Sequence, residues 1–111
     1  IPAELERVLE EMAKEGVPYY TWAGLRELLE AKLVAVIDGF NASFGYEEDK
    51  GGRPFTQRKT DLVEALRSFD GAPFTLQRLA EVLLEPERQY QATHKLLNSL
   101  DKVLSVSSTL P

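Results

Sequence analysis

The stretch that most constrains this chain is "DGAPFTLQRLAEVLLEPERQY", from Asp70 to Tyr90. It packs a helix stop and a helix start into six residues, runs on as a broad apolar helix, and breaks at Pro86. Gly71 reads as the C-terminal cap of one helix, and Pro73 blocks extension and holds an extended approach. Thr75 takes the N-cap position of the next helix. Phe74 before it and Leu79 at the fourth helical position form a hydrophobic staple. The reciprocal capping box is absent, because Arg78 occupies its acidic position. Winding the helix at about 100° per residue puts Leu76, Leu79, Ala80, Val82, Leu83 and Leu84 on one wide arc. Gln77, Arg78, Glu81 and Glu85 fill the narrow remainder. The arc is read as core, because large apolar side chains at helical spacing are most often packing residues. The strip of Gln77, Arg78, Glu81 and Glu85, with Arg88 and Tyr90 at the break, is the candidate partner-binding surface; its bland reading is a solvated helix face. Tyr90 suits an anchor at the corner, and Arg88 is available to a carboxylate on a partner.

The rest of the chain follows the same helical period. Leu5, Val8, Leu9 and Met12 predict a first helix, opened by Pro2 and closed by Gly16 and Pro18. Thr21 offers an N-cap for a longer helix, "WAGLRELLEAKLVAVIDGF". Its apolar set is Trp22, Leu25, Leu29, Leu33, Val36, Ile37 and Phe40, widened by Leu28 and Val34. That width places it at the centre of a bundle. From Asn41 to Phe55 the period collapses into Gly and charge, which predicts a loop, mobile around "EEDKGG". It lacks the alternating oxygen ligands of a calcium loop. Thr56 or Thr60 is expected to start a third helix with Leu62, Val63, Leu66 and Phe69 on one side and Gly71 at its end. A last helix runs from about Gln91 to Leu104, with Leu96, Leu97, Leu100, Val103 and Leu104 as its apolar face. The tail "SVSSTLP" reads as a short extended segment. The expectation is one all-α domain over residues 1–111, a compact bundle of about five helices with a flexible loop at about 41–55 and a helix-turn-helix-like C-terminal pair.

Composition narrows the function. The 111 residues carry a net charge of −5, with 43% hydrophobic and 28% charged residues. An acidic balance is poorly suited to phosphate backbones, so no nucleic acid is expected. The last helix offers His94, Lys95, Asn98 and Lys102 as polar groups, diluted by Asp101, and a helix-turn-helix nucleic-acid module is kept as an alternative. There is no cysteine and one histidine, His94. Thiolate chemistry and histidine-rich metal centres are thereby excluded, and a catalytic triad would have to use His94 without any G-x-S-x-G turn. No phosphate-binding glycine motif occurs. Glu4, Glu10 and Glu11 read as a solvent face, and His94 as exposed. No catalytic residue, cofactor, metal or small-molecule ligand is expected. No apolar run reaches the roughly 18 residues of a membrane span, and the charged, helical N-terminus does not read as a signal peptide. The first residue, Ile1, suggests that the native chain is longer.

The block "APFTLQRLAEVLLEPERQYQATHKLLNSLDK" resembles the family of regulatory subunit 2 of protein phosphatase 4. The residues that carry the resemblance are Pro73, Phe74, Thr75, Gln77, Arg78 and Leu79, then Pro86, Arg88 and Tyr90, then Thr93, Lys95, Leu97 and Lys102. The two N-terminal helices, the Trp22 segment and "KLVAVIDGF" follow the family's order and spacing more weakly. Departures fall at Ala92, where the family tends to have glycine, and at His94, where it has an acid. The resemblance implies a non-catalytic regulatory and scaffolding subunit. It implies as partners the phosphatase 4 catalytic subunit and a substrate-recognising regulatory subunit, and as location the nucleus and cytoplasm. An adaptor for an unrelated enzyme is the remaining alternative.

Overall fold

The computed structural model describes residues 3–15, 21–46, 52–73 and 75–105, and the side chains of these except at 3–5 and 15. The architecture is all-α. Six helices are formed among the described residues: α1 (Ala3–Glu15), α2 (Trp22–Phe44), α3 (Phe55–Arg67), α4 (Leu76–Leu84), α5 (Pro86–Gln89) and α6 (Thr93–Leu104). The sixth helix relative to expectation is α5, a single turn begun by Pro86. A proline at the first helical position loses no hydrogen bond, so the break in α4 restarts at once as a new turn.

One core runs through the bundle. Leu9 and Met12 of α1 meet Leu76, Leu79, Ala80, Val82 and Leu83 of α4, and all seven are nearly or fully buried. On the other side Leu25, Leu29, Leu33, Ile37 and Phe40 of α2 pack with Leu62 and Leu66 of α3 and with Leu96, Leu97 and Leu100 of α6. Helix α2 touches α3, α6 and α4, which explains why its apolar stripe is so wide. Each fully buried Leu or Ile contributes about 1.5–3 kcal/mol of transfer free energy, so this core outweighs every polar contact in the fold.

The helix ends differ from expectation in instructive ways. Thr21 does cap α2, accepting from the Gly24 N–H at 3.4 Å. Helix α2 continues past Phe40 through Asn41–Phe44, which shortens the expected loop at its start. It stops at Gly45, whose φ of +71° is open to glycine and strained for other residues. The Gly45 N–H closes the last turn on the Asn41 carbonyl at 2.9 Å. Neither Thr56 nor Thr60 starts α3; Pro54 holds the N-cap position and α3 opens at Phe55. Nor does α3 run to Gly71. It ends at Arg67, where the Ser68 hydroxyl donates to the Ala65 carbonyl at 2.6 Å. The flanks of the α2–α3 connection are tied together. Tyr46 stacks at a tilt on Phe55 with centroids 5.6 Å apart, and its hydroxyl donates to the Arg53 carbonyl at 3.1 Å. The expected mobile stretch at 47–51, the caps Pro2, Gly16 and Pro18, the staple residue Phe74 and the extended tail at 106–111 lie outside the described residues.

Side chains that cross between elements set the register of the helices. The Trp22 indole N–H donates to the Phe69 carbonyl at 2.8 Å, fixing the start of α2 against the end of α3. Arg67 and Glu30 form a two-pronged pair beside it, with Arg67 Nη2 at 3.0 Å from Glu30 Oε2. The Thr93 hydroxyl, buried, donates to the Phe40 carbonyl at 3.2 Å and joins the start of α6 to α2. Lys32 of α2 reaches Glu6 of α1 at 2.6 Å.

The residue that sequence reasoning missed is Arg58. It is 7% exposed and lies at the joint of α3 and α6. Its Nη2 donates to Asn98 Oδ1 and to Asp101 Oδ2, both at 2.8 Å, while Nη1 is buried without a hydrogen-bond partner. Burial works against its charge, but Tyr46 and Asp101 outweigh it and raise its pKa above the usual guanidinium value. A signal was present: Arg58 stands four residues before Leu62 and eight before Leu66, on the apolar stripe itself.

Candidate partner-binding surface

The polar strip of α4 does not point uniformly into solvent. Thr75 sits at the N-cap position, and its carbonyl accepts from the Leu79 N–H at 2.9 Å. Its hydroxyl, expected to cap α4, instead donates to the Val103 carbonyl at 2.8 Å. The backbone at Thr75 (φ −87°, ψ 12°) is not the extended conformation in which a capping side chain folds back on its own helix. The hydroxyl therefore satisfies a carbonyl in the last turn of α6, where helices leave acceptors unpaired.

Gln77 is occupied in the same way. Its Nε2 donates to the Ala13 carbonyl at 2.8 Å and more weakly to that of Lys14 at 3.4 Å, so it closes the C-terminal end of α1. Tyr90 is half-buried and bridges two elements. Its hydroxyl donates to Ser99 Oγ at 2.6 Å and accepts from Arg78 Nη2 at 3.3 Å. It is thus the corner anchor anticipated from its ring and hydroxyl.

Arg78, Glu81, Glu85 and Arg88 remain on the surface. Arg78 lies 3.6 Å from Glu81, and Arg88 lies 3.1 Å from Glu85. Both pairs are exposed and one turn apart, the kind that contributes little to stability and is readily exchanged for a partner's charges. Glu81, Glu85 and Arg88 line one cleft of about 470 Å³ with Glu6 and Glu10 of α1. Arg78 and Tyr90 line another of about 560 Å³ with Lys95 and Lys102 of α6. Five of the six candidate residues therefore divide between two neighbouring sites of opposite charge that share Gln89, and Gln77 lines neither. Gln89 donates to the Glu81 carbonyl at 3.4 Å and holds α5 against α4. His94, Glu10 and Glu11 are exposed, as anticipated. Among the described residues no group of three or more His, Cys, Asp or Glu side chains is arranged to hold a metal ion, and no helix is long and apolar enough to cross a membrane.

A closed helical core carrying a charged, two-faced corner defines an all-α domain. The comparison with known proteins is specific. The family model described as PPP4R2 matches residues 1–111, and the chain belongs to that family. Serine/threonine-protein phosphatase 4 regulatory subunit 2 of Drosophila melanogaster is 37% identical over 99% of this chain and 19% of its own length. The 2-B form from Xenopus laevis is 34% identical over 97% of this chain and 28% of its own length. The Homo sapiens protein of the same name is 33% identical over 96% of this chain and 27% of its own length. The chain thus spans less than a third of the length of these relatives. No solved structure matches. These relatives are named as regulatory subunit 2 of the phosphatase.

Proposed function

We propose that this domain is a non-catalytic regulatory and scaffolding element that binds the phosphatase 4 catalytic subunit and helps assemble it with a substrate-recognising subunit. The reading rests on one observation above others: identity of 37% to a phosphatase 4 regulatory subunit 2 across 99% of the chain. The exposed strip supports it. Arg78, Glu81, Glu85 and Arg88 are held at a rigid corner, and their present pairs are exposed and hence weak. They exchange for a partner's charges at small cost, whereas Gln77 and Tyr90 hold the corner in shape. By the same resemblance the protein works in the nucleus and cytoplasm.

The test is co-purification with the phosphatase 4 catalytic subunit. Reversing both Arg78 and Arg88 to Glu is expected to weaken capture about tenfold while the helical spectrum is retained. A protein that never associates with the catalytic subunit refutes the reading. A reversed variant that is folded and binds normally moves the interface off this strip.

A further inference from the structure

The cleft between the α4–α5 corner and α6 is one-sided in charge. Arg78, Lys95 and Lys102 bring three cations to it, and no carboxylate lines it among the described residues. This occurs in a chain whose net charge is −5. The arrangement is produced by the fold. The single acid of α6, Asp101, is drawn to the α3 side, where its carboxylate accepts from Arg58 Nη2 at 2.8 Å. It is therefore held away from Lys95 and Lys102, which stay on the cleft face. Arg78 is aimed by the Tyr90 hydroxyl at 3.3 Å, and Tyr90 is itself braced on Ser99 at 2.6 Å. Glu81, the carboxylate nearest Arg78 at 3.6 Å, lines the other cleft.

We propose that this cleft docks an acidic, extended segment of a partner protein. Charge complementarity selects the sign of the ligand, and the spacing selects its form. Lys95 and Lys102 are two helical turns apart, about 10 Å along α6. About three residues of chain in the extended polyproline II form cover that distance and bring the side chain back to the same face, so acidic side chains at every third position meet both lysines in turn. Asn98 and Ser99 lie between them to meet the peptide's polar groups. A nucleic acid fits less well. The cationic surface is confined to one cleft, and the neighbouring cleft presents Glu6, Glu10, Glu81 and Glu85 to any polyanion that runs past it. The inference stands on the cleft itself and does not depend on the phosphatase assignment.

The experiment is fluorescence anisotropy of the full chain with a labelled Glu-Ser-Gly repeat peptide, with labelled duplex and single-stranded DNA as parallel probes. The peptide is expected to bind saturably and to weaken as salt is added. Lys95→Glu with Lys102→Glu is expected to weaken it about tenfold. Glu10→Gln, in the other cleft, is expected to leave it within about twofold. Both lysines are exposed, and circular dichroism checks the fold. Should the reversal misfold, Lys95→Ala with Lys102→Ala gives the same readout. Absence of saturable binding, or equal binding by the lysine variant, overturns the proposal. DNA that binds as tightly as the peptide, and is lost with the same lysines, overturns it in favour of a nucleic-acid site.

Discussion

Two arginine–carboxylate pairs in this domain are alike in chemistry and opposite in setting. Arg58 and Asp101 meet at 2.8 Å with the arginine side chain only 8% exposed, whereas Arg88 and Glu85 meet at 3.1 Å with side chains 80% and 60% exposed. Water already serves the second pair, so its net worth is small and either member is free to change partners. The first pair has no such freedom. A guanidinium taken out of water needs its acceptors, and losing one leaves a charge stranded. The lesson is that burial decides which of two like pairs is fixed. The α3–α6 joint is locked, and the α4–α5 corner is left exchangeable.

Removing the acceptor from the buried joint breaks this comparison most severely. Asp101→Ala is expected to lower stability by about 2 kcal/mol, below the usual range for a buried pair because Asp101 itself is half exposed. Arg58→Met keeps the apolar stem, strands no buried charge and is expected to cost less than Asp101→Ala in urea unfolding. The reverse order would mean that the joint is held by the arginine's packing alone. A smaller loss, about 1 kcal/mol, is expected for Thr75→Val, which leaves the Val103 carbonyl without its donor. Since the hydroxyl ties α4 to α6, amide exchange in that variant should rise at the end of α6 as well as at the start of α4. A hydroxyl that merely capped α4 would affect the latter only.

Glu30 sharpens the exposed side of the comparison. Its hydrogen bond to Arg67 holds its pKa below the ordinary 4.5, against the opposing effect of desolvation. A folded-state pKa that is depressed means stability present above the unfolded value and lost as pH falls through the folded value. Glu30→Gln is therefore expected to cost about 0.5 kcal/mol at neutral pH, with the gap to the parent protein closing in acid, as pH falls through the depressed pKa of Glu30. Denaturation midpoints at neutral and acid pH check it. The smallest effect is reserved for Arg88→Ala: a stability change within about 0.5 kcal/mol. A loss as large as that of Asp101→Ala would erase the distinction between the two pairs.

Much of the fold was legible in the chain. The stripe Leu25, Leu29, Leu33, Ile37 and Phe40 predicts α2 and its burial, and the arc Leu76, Leu79, Ala80 and Leu83 predicts α4 as core, because a helix repeats every 3.6 residues whatever packs on it. Boundaries were less legible. Asn41–Phe44 carries weak apolar signal, yet it continues α2 until Gly45 supplies the positive φ that stops it. Thr56 and Thr60 looked like caps from local chemistry alone, but Pro54 already fixes the extended backbone from which α3 starts. The candidate surface was half legible. Its residues were named from the helical winding and the break at Pro86, and Tyr90 was expected to anchor the corner. It was not legible that Gln77 is engaged, nor that Arg78, Glu81, Glu85 and Arg88 divide between two clefts of opposite charge.

The sequence by itself determined the all-α class, the core faces and the family, because all three rest on residue types at short, repeated spacing. Only the tertiary structure decided what the polar side chains do. The Thr75 hydroxyl crosses 28 positions to Val103, Arg58 crosses 43 to Asp101, and Gln77 crosses 64 to Ala13. No local period encodes such reaches. They depend on which helix ends the core brings together, and a polar group left unpaired there costs enough free energy to claim the nearest donor or acceptor.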